Sequence, residues 1–217
     1  VSHIGVHSNV KPHMSAPNKT NSTVAFHLTR QEQFSRKELL MRTFFGVFYL
    51  FLPHAIALFF MSLLGSLMLF LTFWTLLFTG RYPRSWFDTQ LGILNWNARF
   101  TASSFNCVDG YPAFGLSGQH PSVHLDIAYP ETVSRMHTLF IGLLGGFVLI
   151  PHLIILSFRN MWVLFLNFLA FWSILFTKRY PEKWFAWFEE SMRWGMRINA
   201  YLYFMSAEYP PFTGKEV

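Results

Sequence analysis

The chain has 217 residues, 52% of them hydrophobic and 19% aromatic, with 26 Phe and 8 Trp against only 13% charged. A soluble chain of 25.4 kDa has too little interior to hide that many large apolar side chains, so an integral membrane protein is expected. One cysteine, Cys107, excludes a disulfide framework, a Cys-rich zinc site and a CxxCH haem attachment, and the net charge of +6 is explained by orientation in the bilayer and anionic lipid, without nucleic acid.

Residues 1–22 are polar, rich in Asn, Ser, His and Pro, and lack periodicity; they read as an extended arm that straps neighbouring subunits. No apolar h-region occurs in the first 30 residues, so no cleavable signal peptide is expected there. The sequons Asn18-Lys19-Thr20 and Asn21-Ser22-Thr23 would carry no sugar on a cytoplasmic arm. Next come two alternating stretches, 24–28 and 123–127, whose period of two predicts short strands able to pair with each other or with a partner.

Two apolar tracts, 44–78 and 139–176, are each nearly twice the roughly 20 residues needed for one crossing. Each is therefore expected to be a helical hairpin. The first would turn near Ser62 to Ser66 around Gly65, the second at Arg159-Asn160. This predicts an all-α integral membrane protein with four transmembrane helices at about 43–61, 64–79, 138–157 and 161–178. Arg36, Lys37, Arg81, Arg84, Arg135, Lys178, Arg179 and further basic residues flank these spans on one side. The positive-inside rule then predicts a multi-pass membrane protein with both termini cytoplasmic. After each hairpin an Arg-Tyr-Pro corner leads into an amphipathic segment, 84–105 and 182–205, expected to lie in the headgroup region.

A shift of 98 residues superimposes 40–114 on 138–212 with 23 identities in 75 positions, and a shift of 99 extends the match upstream. The organisation expected is an arm (1–22), repeat 1 (23–114), a linker (115–121), repeat 2 (122–213) and a tail (214–217). Even span numbers per copy imply parallel repeats about an axis along the membrane normal.

The combined motif is Tyr129-Pro130-Glu131, Ser134-Arg135, Ile150-Pro151-His152, 175–181 reading LFTKRYP, Trp184-Phe185, Arg197, Ala200 and 209–212 reading YPPF. It resembles the bacterial membrane-protein family catalogued as domain of unknown function 4389, in two tandem copies. The first copy departs from it at Gln31, Leu52 and Ala113. The resemblance implies a helical membrane fold and transfers no catalytic residue.

Among candidate site residues the Pro-His pairs stand out, because ionisable groups at membrane depth are costly. His54 and His152 would either satisfy a carbonyl freed by Pro53 and Pro151 through packing, or contact a haem, chlorin or quinone. Proton transfer is the remaining option. Arg81, Tyr82, Trp86, Arg99, Arg179, Tyr180, Trp184 and Arg197 are expected at the membrane interface, against bound phospholipids. The other histidines, His3, His7, His13, His27, His120 and His124, fit no metal template. No nucleophile–base pair or phosphate loop is present, so no enzyme is expected. These features together suggest a non-catalytic subunit of a large energy-transducing membrane complex, packed among other membrane-protein subunits. A small oligomeric transporter or a cofactor-binding electron-transfer subunit are the alternatives.

Overall fold

The computed structural model describes residues 23–216; the arm, its three histidines and both sequons up to Thr23 lie outside the described residues. The chain runs β1 (Val24–Leu28), α1 (Arg36–Gly46), a π-helical turn (Val47–Phe51), α2 (Leu52–Thr79), α3 (Arg84–Ser104), β2 (Val123–Ile127), α4 (Arg135–Val148), α5 (Ile150–Thr177) and α6 (Glu182–Leu202).

Both strands form where the alternation places them. They pair antiparallel about Phe26 and Leu125. Each buries its first, third and fifth residues, Val24, Phe26 and Leu28 facing inward with Val123, Leu125 and Ile127. Under this two-stranded ribbon, β1 packs on α6 and β2 on α3. A serine opens each long helical run: Ser35 Oγ accepts from Glu38 N and Ser134 Oγ from His137 N, satisfying one of the orphan donors of a helix start.

The expected hairpin turns are absent. The run from Arg36 to Thr79 is one helix interrupted only by the π turn, and Ile150–Thr177 is continuous. The groups at the two expected turns find partners without a turn in the chain. Gln90 Nε2 donates to the Gly65 carbonyl at 2.6 Å, and Ser66 Oγ to the Ser62 carbonyl. Arg159 pairs with Glu190 at 2.6 Å, donates to Ser191 Oγ and lies over the Trp187 ring. The interruptions fall instead just before Pro53 and Pro151, where a missing N–H breaks the ladder. Two helices, 36–79 and 150–177, are thus long and apolar enough to cross a membrane, with the shorter apolar α4 preceding the second.

The segments expected to lie flat in the headgroup layer are α3 and α6. They double back along α2 and α5 and are enclosed on most faces. Arg193 and Arg197 of α6 are buried. Arg193 holds the Phe26 and Gly214 carbonyls, and Arg197 those of Thr213 and Lys215.

Helices α2 and α5 end alike, on Gly80 and Lys178 in the left-handed conformation. The carbonyl of each then accepts from the strand leading into the other run, Gly80 from Val133 N and Lys178 from Phe34 N. Between these two junctions lies a core containing Leu76, Tyr82, Ala98, Cys107, Ile174 and Tyr180. Among the described residues nothing covers the outer faces of the long helices: Phe59, Phe60, Phe70 and Phe78 stand exposed on α2, as do Phe158, Phe168 and Phe176 on α5.

Candidate functional site: a histidine cage at each helix break

Each proline break delivers a histidine to the interior. His54 and His152 are both 0% exposed. Trp96 Nε1 donates to His54 Nδ1 at 2.9 Å, and Trp194 Nε1 donates to His152 Nδ1 at 3.0 Å. An indole N–H can only donate, so both Nδ1 atoms are acceptors and each neutral ring carries its proton on Nε2. Aromatic rings close the rest of the space. Phe212 stacks on His152 at 3.8 Å between centroids, and Phe100 on His54 at 5.3 Å; Phe114 tilts over His54 at 5.0 Å.

The two cages differ at Nε2. His152 Nε2 donates to the Tyr209 hydroxyl at 2.9 Å, which donates onward to the Val148 carbonyl at 3.3 Å. That relay reaches the backbone at the helix break itself. His54 Nε2 is buried and has no hydrogen-bond partner among the described residues. Tyr111, beside His54, leans instead on the Tyr49 ring at 6.3 Å. Ligation of haem or chlorin needs a free imidazole lone pair, and Trp96 and Trp194 occupy the one each ring has. Hydrogen-bond donation from Nε2 is the chemistry left to these rings.

Arg99 and Arg197 hold the loops that close the cages. Arg99 donates to the Ala113 and Gly115 carbonyls, and Arg197 to those of Thr213 and Lys215. Burial pulls both guanidinium groups below their ordinary value. The expected interface residues therefore divide. Arg81 and Arg179 are exposed at the helix ends, and Trp86 and Trp184 are half-buried. Tyr82 and Tyr180, at 1% exposure, and the buried Arg99 and Arg197 touch protein and not lipid. Tyr82 donates to the Tyr203 carbonyl, and Tyr180 lies against Cys107. Burial pushes both phenols and the Cys107 thiol well up.

The outer histidines are scattered. His27 meets Glu189 at 3.0 Å, His120 meets the Asp109 carbonyl and His124 the Pro121 carbonyl. Among the described residues no three His, Cys, Asp or Glu side chains converge as metal ligands would. Sequence reasoning missed the tryptophans as histidine partners, although both His–Trp pairs have the same spacing of 42 residues. It also missed the Arg159–Glu190 pair, for which the sequence carries no local signal.

Residues 143–214 match the family described as Domain of unknown function (DUF4389). The matched stretch contains the whole second cage, Pro151-His152, Trp194, Arg197 and Tyr209 to Phe212. The likeness to the DUF4389 model covers this stretch, about a third of the chain. Its motif residues now have physical work. In the DUF4389 segment the proline breaks the helix, the tryptophan fixes the histidine tautomer, the arginine holds the closing loop, and Tyr209 and Phe212 seal the ring. No curated protein and no solved structure is significantly similar to the chain.

Proposed function

We propose that the chain is a non-catalytic structural subunit of a large bacterial inner-membrane complex, most naturally an energy-transducing one. The observation that carries this reading is the uncovered aromatic surface of the long helices. Some forty large apolar side chains, from Leu40 to Phe78 and Met136 to Phe176 above all, are exposed, far more than a monomer in water tolerates. Lipid and neighbouring subunits are the partners that such a surface fits. The polar side chains inside the helices are meanwhile spent on holding the fold, as the two cages and the Arg159–Glu190 pair illustrate. In this reading both termini and the ribbon of β1 and β2 face the cytoplasm, with the arm reaching neighbouring subunits.

The same reading takes the chain as two tandem DUF4389 copies. Element bounds support it: β1 and β2 begin 99 residues apart, as do α1 and α4, whereas α2 and α5 and then α3 and α6 begin and end 98 apart. Gly46 and Gly145, both buried, still correspond at 99. The change of one residue falls between them and α2, where the first copy has its π turn. One inserted residue in a helix produces such a turn, so a single insertion accounts for both shifts.

A photo-crosslinking residue placed at Phe60 and at Phe158, both exposed, tests the subunit reading. A defined protein neighbour captured in fixed ratio from native membranes is expected. Crosslinks to lipid alone would contradict it. A cofactor-contacting subunit is favoured by one observation, the unpartnered His54 Nε2; quinone retained by the purified chain and lost in His54→Phe would establish that alternative.

A further inference from the structure

At the π turn the first half departs from the second, and a cleft lies beside that turn. A cleft of about 180 Å³ lies between α1 and the turn at residues 110–112, lined by Glu38, Arg42, Tyr49, Leu50, Tyr111 and Pro112 among others. Two of its walls, Tyr49 and Leu50, belong to the π turn, and such turns gather at functional sites. Tyr111 is free to line the cleft because, unlike Tyr209, it is not locked to the neighbouring histidine. Met41, Tyr49 and Tyr111 are each more than a third exposed, so the cleft reaches the surface, beside the apolar Phe44, Phe45 and Phe48.

The lining chemistry is specific. Glu38 accepts from Gly110 N through Oε2 and lies 3.8 Å from Arg42. Arg42 is buried and its donors are directed to Asn106 Oδ1 and the Val108 carbonyl. Two tilted tyrosine rings stand opposite. A carboxylate beside two electron-rich rings attracts an organic ammonium, while a buried guanidinium on the same wall offers a counter-charge to a phosphate. Tyr111 and Pro112 have counterparts in Tyr209 and Pro210, but the two charges and the second tyrosine do not recur in the second half. With the copies aligned, His137 and Ile141 stand for Glu38 and Arg42, and Phe147 and Val148 flank the place of Tyr49.

We propose that this cleft binds the headgroup of an aminophospholipid, its ammonium against Glu38, Tyr49 and Tyr111 and its phosphate toward Arg42. The proposal rests on the membrane reading above, since the acyl chains would lie along the exposed face of α1. A π turn made by one inserted residue, an unlocked tyrosine and a charged lining are then parts of one site.

Native mass spectrometry of the full detergent-solubilised chain tests it, with phosphatidylethanolamine, phosphatidylglycerol and soluble phosphoethanolamine added in turn. Phosphatidylethanolamine is expected to be retained in preference to phosphatidylglycerol, with Glu38→Gln and, independently, Tyr49→Leu each weakening it about tenfold. Equal retention of both lipids, or retention unchanged in both variants, would overturn the proposal. Retention of phosphoethanolamine as strong as that of the lipid would replace it with a soluble ligand. A parallel alkaline wash of native membranes separates the two levels. A chain that stays in the membrane yet shows no headgroup preference loses only this site, whereas a chain that washes off loses the embedding reading and this site with it.

Discussion

Tyr209 and Tyr111 occupy matching places beside two caged histidines, but only Tyr209 works as a relay. Its hydroxyl accepts from His152 Nε2 and donates to the Val148 carbonyl. Tyr209→Phe leaves a buried donor unsatisfied and should cost about 1–2 kcal/mol, read as a lower unfolding midpoint in detergent. Tyr111→Phe removes a hydroxyl without a hydrogen bond among the described residues and should leave the midpoint nearly unchanged. Equal losses at both positions would contradict the asymmetry of the cages. A second residue-scale expectation concerns Cys107, which is buried with its Sγ 3.5 Å from the Phe105 carbonyl. Burial raises the thiol and the phenols of Tyr82 and Tyr180 in the folded chain. Above about pH 9 the unfolded chain therefore releases protons that the folded chain keeps, and stability falls as pH rises. Below that range these groups contribute no pH dependence. Iodoacetamide should accordingly leave Cys107 unmodified until the chain is denatured, and rapid alkylation of the native chain would show that the core is open there.

At the scale of elements, α4 packs tightly on α2 at Gly142, where a Cβ would collide with the Phe73 ring. Gly142→Ala should destabilise by about 1–3 kcal/mol through overpacking. Gly146, one turn on, has nothing within 4 Å of an added Cβ, so Gly146→Ala should be neutral or gain up to about 1 kcal/mol from helix propensity. Thermal unfolding of the two variants reads the difference directly. Elements like these show how far the sequence could be read. Strands at 24–28 and 123–127 and helices near 84–105 and 182–205 were legible because period and proline corners are local signals. The hairpins were not, because an apolar tract of given length says nothing of where its polar residues find partners. Gly65 and Arg159 looked like turns, yet Gln90 and Glu190 on the returning helices absorb them. The cages were half legible: Pro-His announced itself, but the Trp96 and Trp194 partners lie 42 residues away and needed the fold.

For the whole molecule, the distribution of exposed rings decides the setting. As one straight α-helix, the 44-residue run would be about 66 Å long at about 1.5 Å per residue, about twice the hydrocarbon thickness of a bilayer. A single perpendicular crossing cannot match it, and neither can the four short spans that length alone suggests. The π turn and Pro53 divide the run into a shorter leg, α1, and a longer one, α2, while α4 and α5 are divided before Pro151. Both longer legs carry most of their aromatic residues outward, uncovered by the other described residues, as expected for a subunit that completes its surface with lipid and neighbours. The most direct measurement is the native mass of the protein after gentle extraction, with the co-purifying chains identified. A large assembly containing the chain in fixed stoichiometry is the predicted result. A lone monomer or a homo-oligomer in the same extract would contradict the structural-subunit account.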